Sequence, residues 1–402
     1  FYGAVRVPIS DVIKIILNKI TQDSINLHVK SLSLKEESGL AISLLSFKAV
    51  ATKNSASVSD FELKLPNSHV FLGDTKAKYR IDEGKLVMSS LDFSTSINKS
   101  YISPADLTSF SPDLRVISRP IDISLKANGH GENINIKDLV VKDQGGEMSI
   151  FASGYIYDMP LLKDWRTDIK YFRINQNYIE RIAKVMKGED ITMPDVIERI
   201  GDFGYVGSVS SRNSKISANG KLTSNVGNVA INCSYGNNML GANINTDGID
   251  IGKLLADERL GNIATKIELE GKFEKGKATY LKLNGNVNRF FFNGYTYRDI
   301  EINGSMMANV FNGKLKIDDP NASLTAEGEL AKDHISGFML NVNHLNPNVL
   351  GLTDKLKNTT FSGKLKGDFH GNSLDNAVGN LNLHDFRMST SPDSVFVLNN
   401  VN

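Results

Sequence analysis

Apolar and polar residues alternate in short runs along almost the whole chain. Because successive side chains of a strand point to opposite faces, this period of two predicts β-strands with one apolar face and one polar face. In the first half the apolar members are Ile25, Leu27, Val29, Phe61, Leu63, Leu65, Ile121, Ile123 and Leu125. In the second half they are Val229, Ile231, Ile267, Leu269, Leu281, Leu283, Ile300, Ile302, Leu315, Ile317, Phe338, Leu340, Val342, Leu381 and Leu383.

Glycine-containing pairs recur between these runs and predict tight hairpin turns, because Asn-Gly and similar pairs adopt the positive φ angles of such turns. The pairs are Glu83-Gly84, Asn128-Gly129, Gly145-Gly146, Asn219-Gly220, Gly236-Asn237, Lys275-Gly276, Asn284-Gly285, Asn293-Gly294, Asn312-Gly313 and Glu327-Gly328. Their spacing of about 10–13 residues is typical of an antiparallel meander. The predicted fold is therefore mostly β, an elongated antiparallel repeating β-groove (a β-taco or half-pipe) with a few short crossing helices.

Short segments with helical spacing interrupt the strands at recurring places. They are predicted at about 11–20, 104–110, 177–187 and 194–200 in the first half, and near 250–257 and 346–356 in the second. Residues 241–273 also align without gaps on residues 337–369, with about 8 of 33 positions identical. The chain is thus predicted to repeat a unit of several strands followed by a crossing helix, so length adds units and does not enlarge one core.

The asparagine content changes near residue 200. Of 40 Asn residues, 10 lie in residues 1–200 and 30 in residues 201–402. We therefore predict two regions of β-groove repeats, 1–200 and 201–402, of which the second is rich in Asn and Gly. Hydrophobic residues make up 41% of the chain and charged residues 23%, as in an ordinary folded protein.

No pattern in the chain predicts catalysis, a cofactor or a metal site, and we expect a non-enzymatic protein. The net charge of +1 argues against nucleic acid as a partner, because phosphate binding needs an excess of Lys and Arg. The single cysteine, Cys233, excludes an intrachain disulfide framework and multi-cysteine metal sites. It falls in an apolar alternation, where a small packed side chain is the usual state. Residues 271–278 nearly match a phosphate-binding loop, but a strand follows where a helix is required.

Apolar surface is the largest positive feature of the sequence. Phe290, Phe291, Phe292, Tyr295 and Tyr297 form an aromatic cluster. One interpretation is an ordinary closed sandwich core. The other is an open groove, lined by the alternating apolar residues named above together with Phe290 and Phe292, in which burying an acyl chain gains about 0.8 kcal/mol per CH2.

Six segments carry a resemblance to a known family: 35–40, 60–68, 102–107, 293–300, 312–315 and 324–328. With them the chain resembles TamB, the translocation and assembly module of the AsmA-like superfamily, in its Bacteroidota-type form, and looks like an interior fragment. The resemblance implies a long β-groove that is apolar inside and polar outside. It also implies a periplasmic location between inner and outer membranes, with the membrane anchor outside this fragment.

The resemblance further implies movement of phospholipid between the two membranes, support of outer-membrane protein assembly, or both. The implied partners are phospholipid acyl chains and, through regions outside this fragment, a BamA-like outer-membrane barrel (TamA or its lipoprotein counterpart). Two alternatives remain open at this point. One is a structural or adhesive β-repeat protein with a closed sandwich core, and the other is a carbohydrate-active parallel β-helix, which the predicted tight hairpins oppose.

Overall fold

The computed structural model describes residues 13–20, 23–35, 41–159, 161–187, 195–274, 277–331, 334–370, 378–391 and 394–401. The structure is 71% strand and 9% helix, and every ladder between described strands is antiparallel. The predicted mostly-β antiparallel fold class is confirmed, and a parallel β-helix is excluded. The chain divides into two compact units, Phe1–Ser214 and Lys215–Asn402.

The first unit is a meander in which consecutive strands pair with each other. Its strands are β1 (Ile13–Ile20), β2 (Ser24–Lys35), β3 (Ala41–Thr52), β4 (Ser55–Lys64), β5 (His69–Leu72), β6 (Thr75–Lys78), β7 (Ile81–Asp82), β8 (Lys85–Leu86), β9 (Asp92–Ile102), β10 (Ile121–His130), β11 (Asn133–Asp143), β12 (Met148–Ile156), β13 (Trp165–Ile174) and β14 (Phe203–Arg212). Both β5 and β6 pair with β4 on one side and β9 on the other, so together they replace a single strand. A separate small hairpin is formed by β7 and β8.

The second unit is a simpler meander of twelve strands, each of which pairs with the next. They are β15 (Lys215–Ser224), β16 (Gly227–Gly236), β17 (Met239–Asp250), β18 (Leu260–Glu274), β19 (Lys277–Phe292), β20 (Tyr295–Met307), β21 (Val310–Asp319), β22 (Ala322–Leu330), β23 (His334–Leu345), β24 (Thr360–His370), β25 (Val378–Ser391) and β26 (Ser394–Val401).

Four longer connections, here called crossing segments, join strands that pair with each other. After β9 comes a segment with 3₁₀ turns at Pro104–Leu107 and Pro112–Val116, and after β13 one with helices α1 (Gln176–Lys187) and α2 (Asp195–Ile200). After β17 the segment contains α3 (Ile251–Leu255), and after β23 it consists of residues 346–359. In the first unit the crossing segments follow β9 and β13, and in the second they follow β17 and β23. The two strands of each pair run in the same direction, so both crossing segments of a unit leave the sheet at the same end of its strands.

Two of the predicted helices are wrong. Residues 13–20 form β1, because four isoleucines in eight residues favour a strand and pairing with β2 satisfies the backbone; residues 11–12 lie outside the described residues. Residues 346–356 form hydrogen-bonded turns without a helix. The Asn346 side chain accepts from the backbone N–H of Val349 and is followed by Pro347, as at a helix N-terminus, but Gly351 has a φ of 70° and ends the segment after about one turn. The segment predicted at 104–110 forms 3₁₀ turns, and those at 177–187, 194–200 and 250–257 coincide with α1, α2 and α3.

Half of the predicted glycine turns are also wrong. Five pairs lie inside strands, namely Asn128-Gly129, Asn219-Gly220, Asn284-Gly285, Asn312-Gly313 and Glu327-Gly328. Turns do occur at Glu83-Gly84, Gly145-Gly146, Gly236-Asn237 and Asn293-Gly294, and Lys275-Gly276 lies outside the described residues. The turn at Ala308 and Asn309 uses two consecutive positive φ angles without glycine. The in-strand glycines serve a different purpose, since Gly129 faces the ring of Phe93 and Gly313 that of Phe311 at distances no Cβ would permit.

Little of the chain is fully buried. Fourteen hydrophobic side chains of the described residues are buried, and eight of them form two clusters. Most apolar strand residues are half-buried, so the sheet keeps a broad, accessible apolar face.

An apolar face as the candidate functional site

One row of apolar residues runs across all twelve strands of the second unit. Directly paired positions in neighbouring antiparallel strands lie on the same face of a sheet. Followed from strand to strand, the ladders connect Gly220, Ile231, Ile244, Ile267, Gly285, Ile302, Leu315, Ala326, Leu340, Leu365, Leu383 and Val401. This central apolar row contains no polar side chain. At a strand spacing of about 4.8 Å it is on the order of 50 Å long.

The sequence predicted the alternation behind this row but not the alignment of the strands. Among its members, Ile231, Ile267, Ile302, Leu315, Leu340 and Leu383 were predicted to line a groove. Ile244, Leu365 and Val401 were missed because short or Gly-rich runs around them weaken the periodicity. Gly220, Gly285 and Ala326 were missed because residues this small do not stand out as apolar in a sequence pattern.

The other residues predicted in the second half lie on the same face, in rows beside the central one. Leu269 pairs with Leu283, Val287 with Ile300, and Ile300 with Ile317. The remaining predicted residues on this face are Val229, Leu281, Phe290, Phe292, Phe338, Val342 and Leu381. Most are half-buried; Ile300 is buried and Leu381 is 43% exposed.

The first unit has an apolar face of the same kind. Ile25, Leu27 and Val29 on β2 pair with Ala51, Ala49 and Phe47 on β3. Phe61 and Leu63 lie on β4, where Phe61 stacks on Phe47 with ring centroids 6.3 Å apart. Ile121, Ile123 and Leu125 lie on β10, and a row continues from Ile123 through Val141, Ile150, Phe172 and Tyr205.

Two expectations for the first unit need correction. Leu65 is not in a strand, because β4 ends at Lys64 and Leu65 begins a turn in which its N–H donates to the Ser68 carbonyl at 3.0 Å. A purely polar opposite face does not hold either. Phe151 and Tyr171 pair on that face with centroids 5.6 Å apart, and the Lys142 Nζ lies 4.7 Å from the Phe151 ring centroid.

Crossing segments cover one end of each apolar face. In the second unit, Leu350 of segment 346–359 is fully buried against Val287, Tyr297, Ile300 and Ala322. The Tyr297 hydroxyl donates to the Leu350 carbonyl at 3.0 Å, and the Asn293 side chain donates to the Gly351 carbonyl.

Hydrogen bonds to the Asp319 carboxylate stabilise the adjacent turn between β21 and β22. The Tyr295 hydroxyl donates to the buried Asp319 carboxylate at 2.5 Å, and the backbone N–H groups of Arg298 and Asn321 also donate to it. Burial raises the pKa of both Tyr295 and Tyr297, and for Tyr295 the hydrogen bond to Asp319 adds to the rise. This end of the face is therefore a dry core held by specific bonds.

In the first unit α1 plays the covering role. Tyr178 is buried against Met148 and Ile174, with Ile179 and Ile182 packed beside it. Burial raises the pKa of the Tyr178 hydroxyl. An ion pair between Arg181 and Glu147 fixes the helix to the start of β12.

The uncovered part of the second face contains an apolar cavity of about 240 Å³. Ile302, Phe311, Leu315, Leu330 and Phe338 contribute to its wall. Its floor includes Gly313 and Gly328, which pair with each other in one ladder position, and Gly304 pairs with Gly313 on the other side. The Phe311 ring occupies the space beside Gly304 and Gly313, where a Cβ would lie 2.4 and 2.5 Å from it.

Two of the segments that carry the family resemblance meet in space. The Asp106 carboxylate accepts from the backbone N–H of Asn67 at 3.0 Å and from the Ser68 hydroxyl at 2.5 Å. Segments 293–300, 312–315 and 324–328 lie on three consecutive strands, β20, β21 and β22. The Asp106 contacts hold the turn after β4 against the 3₁₀ turn after β9.

Chemical groups of other kinds are sparse. Within the described residues, no three His, Cys, Asp or Glu side chains are grouped closely enough to hold a metal ion. None of the helices in the described ranges is long and apolar enough to cross a membrane. Cys233 pairs with Ala218 and Ala242 on the apolar face and is half-buried.

A scan against protein-family models, a search among curated proteins and a search among solved structures found no match to this chain. Function is therefore inferred from the chain's own residues and their positions.

Proposed function

We propose that the apolar face binds hydrocarbon chains and that the protein is a non-enzymatic conduit for phospholipid acyl chains. In this proposal the chain is the periplasmic part of a bridge-like protein between inner and outer membranes. Such a protein would supply phospholipid to the outer membrane, support the assembly of its proteins, or both. The central apolar row is the observation that carries the proposal.

Two properties of the face and one property of acyl chains support this function. It is continuous over twelve strands, so an acyl chain meets equivalent apolar positions at each step and moves between them over small barriers. Its residues are half-buried and therefore accessible to a ligand. Each methylene group that leaves water gains about 0.8 kcal/mol, which is enough to hold a chain of ordinary length.

The alternative is a structural or adhesive β-repeat protein with a sealed core. A closed sandwich buries the inner faces of both of its sheets. Local closure of this kind exists where Leu350 and Tyr178 cover the sheet. Leu283, Leu340 and Leu383 are only partly buried, which argues against closure along the rest of the row.

The decisive experiment places a charge in the row and measures binding of dansylated undecanoic acid, whose emission rises in apolar surroundings. Leu340→Asp changes a residue that lies outside both buried clusters. The matched control is Asn341→Asp, which places the same charge next to it on the polar face. We expect saturable binding to the unmodified protein, at least tenfold weaker binding to Leu340→Asp, and no change for Asn341→Asp.

Absence of binding to the unmodified protein, or equal binding to both variants, would contradict the proposal. Circular dichroism checks that each variant is folded, and Leu383→Asp replaces Leu340→Asp if the latter unfolds. Normal outer-membrane integrity in cells that carry a folded, non-binding variant would count against the transport role separately from the binding role.

A further inference from the structure

The polar face of the second unit contains the larger concavity. Its volume is about 690 Å³, and it is formed by strands β19 to β23 on the side opposite the apolar cavity. Gly313, Lys314, Glu327, Gly328 and Glu329 contribute to both concavities, because only one layer of backbone separates them. The two concavities are therefore separate surfaces that lie back to back.

A row of mostly amide and charged side chains crosses the polar face, and its members on β19 to β23 line this concavity. The ladders connect Asn219, Asn232, Asn243, Glu268, Asn284, Asn303, Lys314, Glu327, Met339, Lys366 and Asn382 in eleven consecutive strands. Six of the eleven are asparagine. This amide row accounts for part of the asparagine excess of residues 201–402, which turns alone do not explain.

The amides in the concavity are available to a ligand. Asn284, Asn303 and Asn312 line it on three adjacent strands, and in the described part of the chain none of their side chains bonds to another protein group. Each amide offers two N–H donors and one carbonyl acceptor. Asn284 and Asn303 pair directly on strands about 4.8 Å apart, and Asn312 pairs with Ser305, two residues along from Asn303, so all three amides are within reach of one ligand that lies across the strands.

The charges in the concavity cancel. Lys282 and Lys314 balance Glu327 and Glu329, and the Lys314 Nζ lies 3.4 Å from the Glu327 carboxylate. A phosphate-rich or polycationic ligand would gain nothing from such a lining. A ligand with many uncharged groups that both donate and accept hydrogen bonds fits both the amides and the absence of net charge.

We propose that this concavity binds a neutral oligosaccharide, which lies across the strands along the amide row. Sugar hydroxyls donate and accept in the same way as the asparagine amides. Tyr280, at one side of the concavity, offers a flat ring against which the C–H face of a sugar packs. The site is independent of acyl-chain binding, because it lies on the other face of the sheet.

The test is saturation-transfer difference NMR of the protein with three neutral trisaccharides: cellotriose, maltotriose and triacetylchitotriose. We expect saturable binding of at least one trisaccharide. Inorganic phosphate and spermidine, added in competition experiments, should not displace the bound trisaccharide. The variant pair Asn284→Ala and Asn303→Ala, made together, should weaken binding at least tenfold. Asn228→Ala changes an exposed asparagine of β16 that lies outside both the amide row and the concavity, and it should leave binding unchanged.

Failure of all three trisaccharides to bind would overturn the proposal. So would competition by phosphate or spermidine, or unchanged binding to the double variant. Binding of dansylated undecanoic acid to the same double variant is measured in parallel. It should be unaffected, so that a failure here is distinguishable from a failure of the lipid proposal.

Discussion

Glycines inside the strands act at the scale of single residues by leaving space for a neighbouring ring. A Cβ on Gly313 would lie 2.5 Å from the Phe311 ring, and one on Gly304 would lie 2.4 Å from it. Neither glycine has a positive φ, so the backbone itself would accept alanine. The need for glycine at these positions thus comes from Phe311 and not from a turn.

A double-mutant cycle tests this dependence. We expect Gly313→Ala to destabilise the protein by about 1 kcal/mol in the unmodified background, because the Phe311 ring must move. In the Phe311→Ala background the same change should be neutral or stabilising, because alanine has less conformational freedom to lose than glycine. The measurement is urea unfolding of all four proteins, and a coupling below about 0.5 kcal/mol would contradict the expectation.

Gly241→Ala provides the matched control for that cycle. Gly241 also lies within a strand, but the nearest atom to its added Cβ is the Ser234 Oγ at 3.7 Å. Its replacement should not destabilise the protein in either background.

Elements differ in how far the sequence determined them. Strands were predicted well because alternation over five to eight residues is a property of the chain itself, as at Ile121, Ile123 and Leu125. The strand at 13–20 was mistaken for a helix, since clustered isoleucines satisfy both periodicities and only pairing with β2 decides between them. The register of each ladder depends on the geometry of the turn and on any bulge between the two strands. The hydrophobic pattern does not contain this information, so the central apolar row and the amide row could not be predicted from it.

The crossing segment 346–359 stabilises the covered end of the second face through one side chain. Leu350 is 0% exposed, whereas Leu352 in the same segment is 52% exposed. We expect Leu350→Ala to reduce the free energy of unfolding by about 2–5 kcal/mol, because it leaves a cavity against Val287 and Tyr297. Leu352→Ala, its control, should change it by less than about 0.5 kcal/mol. Similar losses for the two variants in urea unfolding would show that the segment does not cover the face in this way.

The tyrosines of the same cluster predict a loss of stability in alkali. Burial raises the pKa of Tyr295 and Tyr297 above the value of about 10 that holds in an unfolded chain. The unfolded state therefore loses these protons first. Their contribution is complete below pH 10 and disappears as the pH rises through the higher folded values. Urea unfolding between pH 8 and about 11 should show a steeper decline for the unmodified protein than for the Tyr295→Phe, Tyr297→Phe double variant. Parallel declines would exclude the tyrosines as the cause.

At the scale of the whole molecule, each unit combines a local dry core with an extended accessible face. In each unit a packed cluster covers one end of the apolar face, and the rest of that face remains half-buried. Ordinary folding would seal such a face, since exposed apolar patches are unfavourable in a protein without a ligand. Its continuity over twelve strands is the observation on which the proposed binding of hydrocarbon rests.

The single cysteine allows the proposed hydrocarbon binding to be tested far from the buried cluster around Leu350. Cys233 lies on β16 beside the central apolar row, between Ala218 and Ala242, and no other thiol competes for a label. An environment-sensitive bimane attached to Cys233 should shift its emission to shorter wavelength when phosphatidylglycerol vesicles or a fatty acid are added. A cysteine moved to the polar face, in the Cys233→Ser, Asn232→Cys variant, should show no shift. Equal shifts at both positions would indicate general adsorption to lipid, and no shift at Cys233 would exclude hydrocarbon from this end of the face.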